Sequence, residues 1–357
     1  MTTRILIMAG GTGGHVFPAL AVAEELRAQN VEVQWMGTAR GIEAKLVPEA
    51  GIPLNNISVQ GLRGNGALGW LLAPFKVAKA IFEAMSVIRR FKPDAVLGLG
   101  GFASGPGGIA AKLMGKPLII HEQNAIPGLT NRTLARVANA VLEGFPNSFK
   151  SSAKVQWLGN PVRASIESMA TPTQRFDTHS GDIRVLVLGG SLGAKSLNTL
   201  LPQAFAAIDQ PLLIKHQCGV RHSDDCQKNY NDAAVDVEVM SFIDDMAAVY
   251  AWADLVICRA GALTIAELSA AGVGSLLVPY PYAVDDHQRY NAAALVEAGA
   301  AKLLIEKDLT VDILKQEIEA VVANRSNLLA MANNARSLAK DGTAKQIAAI
   351  CLELAHA

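Results

Sequence analysis

Arg4-Ile-Leu-Ile-Met-Ala9-Gly10-Gly11-Thr12-Gly13-Gly14-His15-Val16-Phe17-Pro18 is the stretch that decides the fold class. Residues 4–9 form a short apolar run that reads as a strand, and residues 16–29 repeat apolar positions at helical spacing. The six residues between them include four glycines. A strand that turns through glycines straight into a helix is the opening of a βαβ unit. Glycine allows close backbone approach and positive φ. The helix start adds N–H groups and partial positive charge, which suit a phosphate. Pro18 reads as lying in the first helical turn, where a missing donor is tolerated. The loop departs from two known phosphate motifs. Val16 stands where a dinucleotide fingerprint has its third Gly or Ala, and Gly37-Thr38 stand where its acid would be. No Gly-Lys-Ser/Thr follows either. The bland alternative is a tight turn that merely lets strand and helix pack.

The same rhythm continues outward. Residues 31–36, 95–99 and 117–121 are further strand candidates, each followed by a loop and a helical pattern. Such alternation means a parallel sheet with right-handed crossovers. A Gly-Asn-Pro connection follows within 156–163, and the polar, aperiodic stretch 171–182 reads as a linker or surface loop. A second series then begins at 183–188 and continues through 212–216, 237–242, 255–258, 275–279 and 301–305. Gly189-Gly190-Ser191-Leu192-Gly193-Ala194 follows its first strand as Gly10–His15 follows the first strand of the other half. A third loop, Gly98-Leu-Gly100-Gly101-Phe-Ala-Ser104-Gly105-Pro-Gly107-Gly108, again joins a strand to a helix. Three such loops imply two phosphate-bearing ligands, one per domain. The expected fold is α/β, two doubly wound domains with ligands at the carboxyl ends of the strands and an active site in the cleft. The expected domains are 1–163, joined by a last helix at 343–357, and 164–342.

The bulk composition agrees. A chain of 357 residues suits two domains, and 50% hydrophobic residues can fill two cores. Lys plus Arg and Asp plus Glu are both 32, so no global charge argues for nucleic acid. Cys218, Cys226, Cys258 and Cys351 form no C-x-x-C pair and read as reduced thiols of a cytosolic protein. The N-terminus goes straight into a strand without a charged-then-apolar leader. No apolar run approaches the roughly 18 residues of a spanning helix.

Two constellations in the second half carry chemistry. In Arg259-Ala-Gly261-Ala-Leu263-Thr264-Ile-Ala-Glu267, Gly261 opens a helix whose start suits a diphosphate. Thr264 and Glu267 share a face, and the carboxylate suits ribose hydroxyls. The alternative for Glu267 is a surface glutamate. In Asp285-Asp286-His287-Gln288-Arg-Tyr-Asn291, the amides of Gln288 and Asn291 suit sugar hydroxyls and an acetamido group. There the alternative is a helix cap by Asp286. No Asp-x-Asp occurs, so a metal-bridged diphosphate is not expected; fixed dipoles and Arg163 would supply the positive field.

Taken in order, eight blocks resemble the MurG family, the N-acetylglucosaminyltransferases of peptidoglycan synthesis. They are Gly10–His15 with Val16-Phe-Pro18, Gly100–Gly108, His121-Glu122-Gln-Asn124, Gly159-Asn-Pro-Val-Arg163, Gly189–Ala194, Phe242-Ile243-Asp-Asp-Met246, Arg259–Glu267 and Gln288–Asn291. The resemblance covers nearly the whole chain. It implies a GT-B fold and transfer of GlcNAc from UDP-GlcNAc to the C4 hydroxyl of MurNAc in lipid I, with inversion, giving lipid II. It implies no cofactor and no metal. Matched by position, Arg163, Ser191, Leu263, Thr264, Glu267 and Gln288 should bind the donor, with the backbone near Ile243 and Met246 at the uracil. Thr12, Gly13, Gly14, Ser104 and Gly105 should hold the acceptor diphosphate. His15 and Asn124 should lie near the reacting hydroxyl, with Glu122 beside them. One departure stands out: the family often has two consecutive glutamines where this chain has His287-Gln288.

His15 and Glu122 compete as the general base. A helix start disfavours an imidazolium, so His15 should be neutral and able to accept a proton; its alternative is a capping or acceptor-binding role. A lipid-linked acceptor also implies a peripheral location on the cytoplasmic face of the bacterial inner membrane, beside other cell-wall synthesis proteins. Residues 70–92 fit this, with five cations against one anion and apolar side chains such as Phe75, Phe82 and Met85 at helical spacing. The alternative is an ordinary crossover helix with its apolar face in the core. Three rival functions are weaker: the Gly100–Gly108 loop and the basic apolar stretch argue against a UDP-GlcNAc 2-epimerase of the same fold, the broken fingerprint at Gly11–Val16 against a nicotinamide-dependent oxidoreductase, and a non-enzymatic nucleotide-sugar sensor would not need both His15 and the acceptor loops.

Overall fold

The computed structural model describes residues 2–59, 66–190 and 192–357, and for residues 66–72 and 284 the backbone alone. The chain forms two compact units, Met1–Arg163 with Gly342–Ala357, and Ala164–Asp341.

The first unit runs β1 (Arg4–Met8), α1 (Gly13–Ala28), β2 (Glu32–Gly37), α2 (Glu43–Glu49), β3 (Leu54–Asn56), α3 (Gly66–Phe91), β4 (Ala95–Gly98), α4 (Ser104–Leu113), β5 (Leu118–Glu122), α5 (Leu129–Leu134), β6 (Ala140–Glu143) and β7 (Val155–Trp157). The strands are all parallel, in the order β3-β2-β1-β4-β5-β6-β7. β1 shows why its sequence is apolar throughout. Ile5 and Ile7 point to one face and pack with Val22 and Leu26 of α1. Leu6 and Met8 point to the other and pack with Ile88 of α3 and Ile120 of β5. A strand covered on both sides has no solvent face to make polar. Each of these side chains is fully buried, which stabilises the fold by about 1.5–3 kcal/mol per residue.

Two local readings change. α1 starts at Gly13, because the His15 and Val16 N–H groups both reach Thr12 O, at 3.1 and 3.2 Å. Pro18 therefore sits in the second turn and not the first, and it has no N–H to give the Gly14 carbonyl. α3 is both a crossover helix and an amphipathic surface. Ala80, Ala84, Val87, Ile88 and Phe91 are in the core, while Phe75 and Phe82 are 75% and 71% exposed. Met85 packs partly into the core, so it does not join the exposed set.

The second unit runs α6 (Ala164–Glu167), α7 (Pro172–Thr178), β8 (Ile183–Leu188), α8 (Lys195–Ala206), β9 (Leu212–Gln217), α9 (Ser223–Asp232), β10 (Glu238–Met240), α10 (Met246–Trp252), β11 (Leu255–Cys258), α11 (Ala262–Ala271), β12 (Gly274–Leu277), α12 (His287–Glu297), β13 (Ala301–Leu303), α13 (Val311–Val322) and α14 (Arg325–Ser337). Its sheet is also parallel, in the order β10-β9-β8-β11-β12-β13. The stretch 171–182 is not a plain linker. Thr171 and Gln174 form a reciprocal capping box with Pro172 at the first helical position, and this starts α7. Arg175 then pins α7 by donating to Gly272 O at 2.6 Å, and burial lowers its pKa to about 10. The final helix, α15 (Thr343–His356), returns to the first unit. There it buries Ile347, Ala348 and Cys351 in the core of β1 and α1, and Thr343 Oγ1 donates to Leu158 O at 2.8 Å.

Candidate functional site

In each sheet the strand order reverses direction at one place, between β1 and β4 and between β8 and β11. Loops leaving the carboxyl ends of such neighbours part to opposite faces and open a crevice for a ligand. All three glycine-rich loops lie at these two places.

In the first unit, the loops after β1 and β4 touch. Gly101 has φ +82°, and a Cβ there would overlap the backbone of Gly10. Gly100 has φ +104°, and its Cβ would stand 2.8 Å from His15 Cδ2 and 2.9 Å from Nε2. The imidazole thus lies against a bare stretch of backbone that only glycine supplies. His15 is the third residue of α1. Its Nδ1 is 3.2 Å from Gly10 O and 3.4 Å from Thr12 Oγ1. A carbonyl only accepts, so this contact assigns the proton to Nδ1 and the lone pair to Nε2. That tautomer is the one a base needs if Nε2 faces a substrate hydroxyl.

Thr12, Gly13 and Gly14 form the start of α1, and Ser104 and Gly105 form the start of α4. Ser104 is fully buried, and its hydroxyl is used by the protein itself, accepting from Gly100 N at 3.2 Å and lying 2.6 Å from Gly100 O and 3.0 Å from Met8 O at the end of β1. What Ser104 offers a ligand is therefore main chain. Glu122 ends β5 and is 3% exposed. One carboxylate oxygen accepts from Asn124 N and Nδ2 at 3.0 and 3.1 Å, the other from Gly128 N and Asn131 Nδ2 at 3.1 and 2.9 Å. This is the geometry of a support that orients Asn124. His121 behind it is neutral. Burial lowers its pKa to about 4; its Nε2 lies 2.9 Å from Gly159 O, and Gln123 Nε2 lies 2.9 Å from Nδ1.

Glu43 is a residue the sequence reading missed. It is fully buried under the first loop. Oε2 accepts from Gly11 N at 2.9 Å, and Oε1 accepts from Thr38 N and Oγ1 at 3.1 and 2.7 Å. Side chains at Gly10 or Gly41 would collide with this carboxylate, and one at Gly37 with the Glu43 Cγ. The signal was present in Gly37-Thr38 and Gly41-Ile-Glu43, glycines spaced around an acid, but no motif marks it.

In the second unit, Ser191 lies outside the described residues. The rest of its loop is tied down by Gln217, another missed residue. Gln217 Oε1 accepts from Gly190 N at 2.9 Å, and its Nε2 donates to Gly190 O and Ser241 O, both at 3.1 Å. One buried amide so joins the glycine loop to the stretch holding Ile243 and Met246. Ile243 is 9% exposed, and Met246 begins α10, capped by Asp245 accepting from Ala248 N at 3.0 Å. Leu263 and Thr264 lie in the first turn of α11 behind Gly261. Glu267 is buried and accepts from Tyr250 OH at 3.1 Å, so it is not a surface glutamate. Gln288 Oε1 accepts from Tyr280 N at 2.9 Å. Asn291, expected at the sugar, is instead fully buried and donates to Ala260 O at 3.3 Å. Asp286 precedes α12 in left-handed backbone with no side-chain cap. Arg163 belongs to the first unit, at its end, with its guanidinium 5.4 Å over the Phe17 ring.

Among known proteins, the glycosyltransferase family 28 N-terminal domain matches residues 5–143 and the family's C-terminal domain matches residues 184–348. The UDP-N-acetylglucosamine–N-acetylmuramyl-(pentapeptide) pyrophosphoryl-undecaprenol N-acetylglucosamine transferase of Nitrosococcus oceani is 55% identical, covering 99% of both chains. The enzyme of the same name from Cellvibrio japonicus is 53% identical, again over 99% of both. The crystal structure of Acinetobacter baumannii MurG superposes with a TM-score of 0.85 at 43% identity, covering 98% of this chain and 99% of that one. A UDP-GlcNAc 2-epimerase from Neisseria meningitidis reaches a TM-score of 0.69 at 16% identity, a likeness of fold alone. With its two Rossmann-like parallel sheets the fold is of the GT-B class, and the chain belongs to glycosyltransferase family 28 and, within it, to the MurG family of N-acetylglucosamine transferases.

Proposed function

We propose that this enzyme moves GlcNAc from UDP-GlcNAc to the C4 hydroxyl of MurNAc in the undecaprenyl-pyrophosphoryl-MurNAc-pentapeptide, lipid I, giving lipid II and UDP. The observation that carries the acceptor half is the contact of two glycine loops around His15. The start of α1, with Thr12, Gly13 and Gly14, and the start of α4, with Ser104 and Gly105, hold the lipid diphosphate through main-chain N–H groups. Asn124, set by Glu122, binds near the reacting hydroxyl. His15 Nε2 removes the hydroxyl proton as O4 bonds to the anomeric carbon, and the bond from that carbon to the UDP oxygen breaks on the opposite side, so configuration inverts. The second unit holds the donor. The loop 189–194 and the start of α11 take the diphosphate, Glu267 the ribose, the chain near Ile243 and Met246 the uracil, and Gln288 the sugar, with Arg163 adding positive field.

The acceptor's lipid calls for a membrane surface. No described helix is long and apolar enough to cross a membrane. α3 supplies a peripheral one: exposed Phe75 and Phe82 enter the leaflet, with Lys76, Lys79, Arg89 and Arg90 over anionic headgroups. The location that follows is the cytoplasmic face of the bacterial inner membrane.

The test is transfer of labelled GlcNAc from UDP-GlcNAc to a short-chain lipid I analogue with EDTA present. Product is expected. Tight UDP-GlcNAc binding with no product, or release of free 2-epimerised sugar, would overturn the assignment.

A further inference from the structure

Three loops of the second unit leave neighbouring strands at the same end: 189–194 after β8, 259–261 after β11, and 278–286 after β12. One guanidinium, carried by the second loop, reaches the third loop and the start of α8, the helix that follows the first. Arg259 Nη2 donates to Ser196 Oγ, two residues into α8, at 3.3 Å. Nη1 donates to the carbonyls of Val278 and Pro279 at 3.1 and 3.3 Å. Its Cζ lies 5.6 Å from the centre of the Tyr280 ring, and Tyr280 N in turn donates to Gln288 Oε1 at 2.9 Å. Glu306, in the turn after β13, closes the set with an ion pair to Nη1. The Arg259 side chain is 14% exposed and that of Glu306 21%, so water screens the pair little.

We propose that Arg259, held by Glu306, is a positioning residue that fixes the donor loops against one another and orients the Gln288 amide. With its carbonyl taken by Tyr280 N, that amide offers its N–H groups to the oxygens of the sugar. A planar guanidinium suits the task because its five donors leave in fixed directions, whereas an ammonium is a single point. Glu306 lies in none of the glycine or amide motifs, and it keeps the fork turned toward the protein. The proposal rests on the reading of the second unit as the UDP-GlcNAc unit.

The experiment measures UDP-GlcNAc and UDP affinity by calorimetry and steady-state transfer on the full-length enzyme. The variants are Glu306→Gln, Arg259→Lys and Arg259→Gln, with Glu317→Gln as a control that breaks an exposed pair to Lys302. Loosening two or three charge-assisted contacts should lower donor affinity and donor kcat/KM by about tenfold in Glu306→Gln. KM for the lipid acceptor should not change, and Arg259→Lys should be as impaired as Arg259→Gln. A direct role for Arg259 on the diphosphate predicts the opposite sign, since removing the competing carboxylate would tighten donor binding; that result overturns the proposal. So does a loss confined to melting temperature with donor KM unchanged, or an Arg259→Lys enzyme like wild type. Wild-type protein that fails to bind UDP-GlcNAc at all would instead remove the donor reading beneath it.

Discussion

Replacing Glu43 by Gln keeps the shape of the side chain and changes only its hydrogen-bonding capacity. The carboxylate accepts three hydrogen bonds with its two oxygens, from Gly11 N, Thr38 N and Thr38 Oγ1. A glutamine has one oxygen, so its NH2 must face either Gly11 N–H or Thr38 N–H. A buried donor left facing another donor costs about 1–3 kcal/mol. The remaining bonds lose the assistance of the charge, about 1 kcal/mol more. For a unit of this size, roughly 2–4 kcal/mol lowers the melting temperature by about 5–15 °C. The damage should also be directional. Glu43 reaches the loop through Gly11, so the acceptor KM should rise while the donor KM stays near its normal value. Differential scanning calorimetry and transfer kinetics on the same sample read both effects. A Glu43→Gln enzyme that melts within a degree or so of wild type, with unchanged acceptor KM, would refute the claim that this carboxylate holds the first glycine loop.

Other outcomes follow from the same structure. His15→Ala should lower kcat by about 10²–10⁴-fold with lipid binding intact; near-normal turnover would remove the base assignment. Reversing Lys76, Lys79, Arg89 and Arg90 to Glu should abolish sedimentation with anionic vesicles, since each cation contributes about 1 kcal/mol; unchanged sedimentation would sink the membrane surface. His121 and His216 are buried, with pKa values lowered by desolvation to about 4 and about 3. Both sit below the unfolded value of 6.5, so their neutral forms carry no penalty above that pH. As pH falls below 6.5 the unfolded chain takes up protons that the folded chain refuses, and stability drops until pH reaches the folded values. His216→Gln should flatten the fall in melting temperature between pH 6.5 and 4; an unchanged slope contradicts it. All four cysteines are buried, and burial raises the thiols of Cys226, Cys258 and Cys351 to about 12. Iodoacetamide should label none in the native protein at pH 8 and all four in guanidinium chloride.

The sheets were legible because parallel strands covered on both faces are continuous apolar runs. Residues 183–188 were read with their observed bounds for that reason. β3 and β7, three residues each at the two edges of the first sheet, give too short a signal to read. Pro18 was misplaced because the eye starts a helix at its first apolar residue, whereas Thr12 O starts it three residues earlier. The capping box at Thr171 was readable and overlooked amid polar residues. For the site, the glycine loops announced themselves, since only glycine makes such approaches. The side chains that hold those loops did not. Glu43, Gln217 and Glu306 lie far from the loops in sequence, and a buried polar residue looks like any other until its partners are seen.

The return of α15 has a consequence for biosynthesis. Its Ile347 and Cys351 complete the core beside Val22 and Leu26, which are made before the whole second unit. The amino-terminal unit therefore cannot finish folding as it leaves the ribosome. At about 5–20 residues per second, it waits on the order of ten seconds or more for translation of the whole second unit. During that wait the α15-facing side of α1 is bare, and nascent chains need shielding there from one another until α15 arrives.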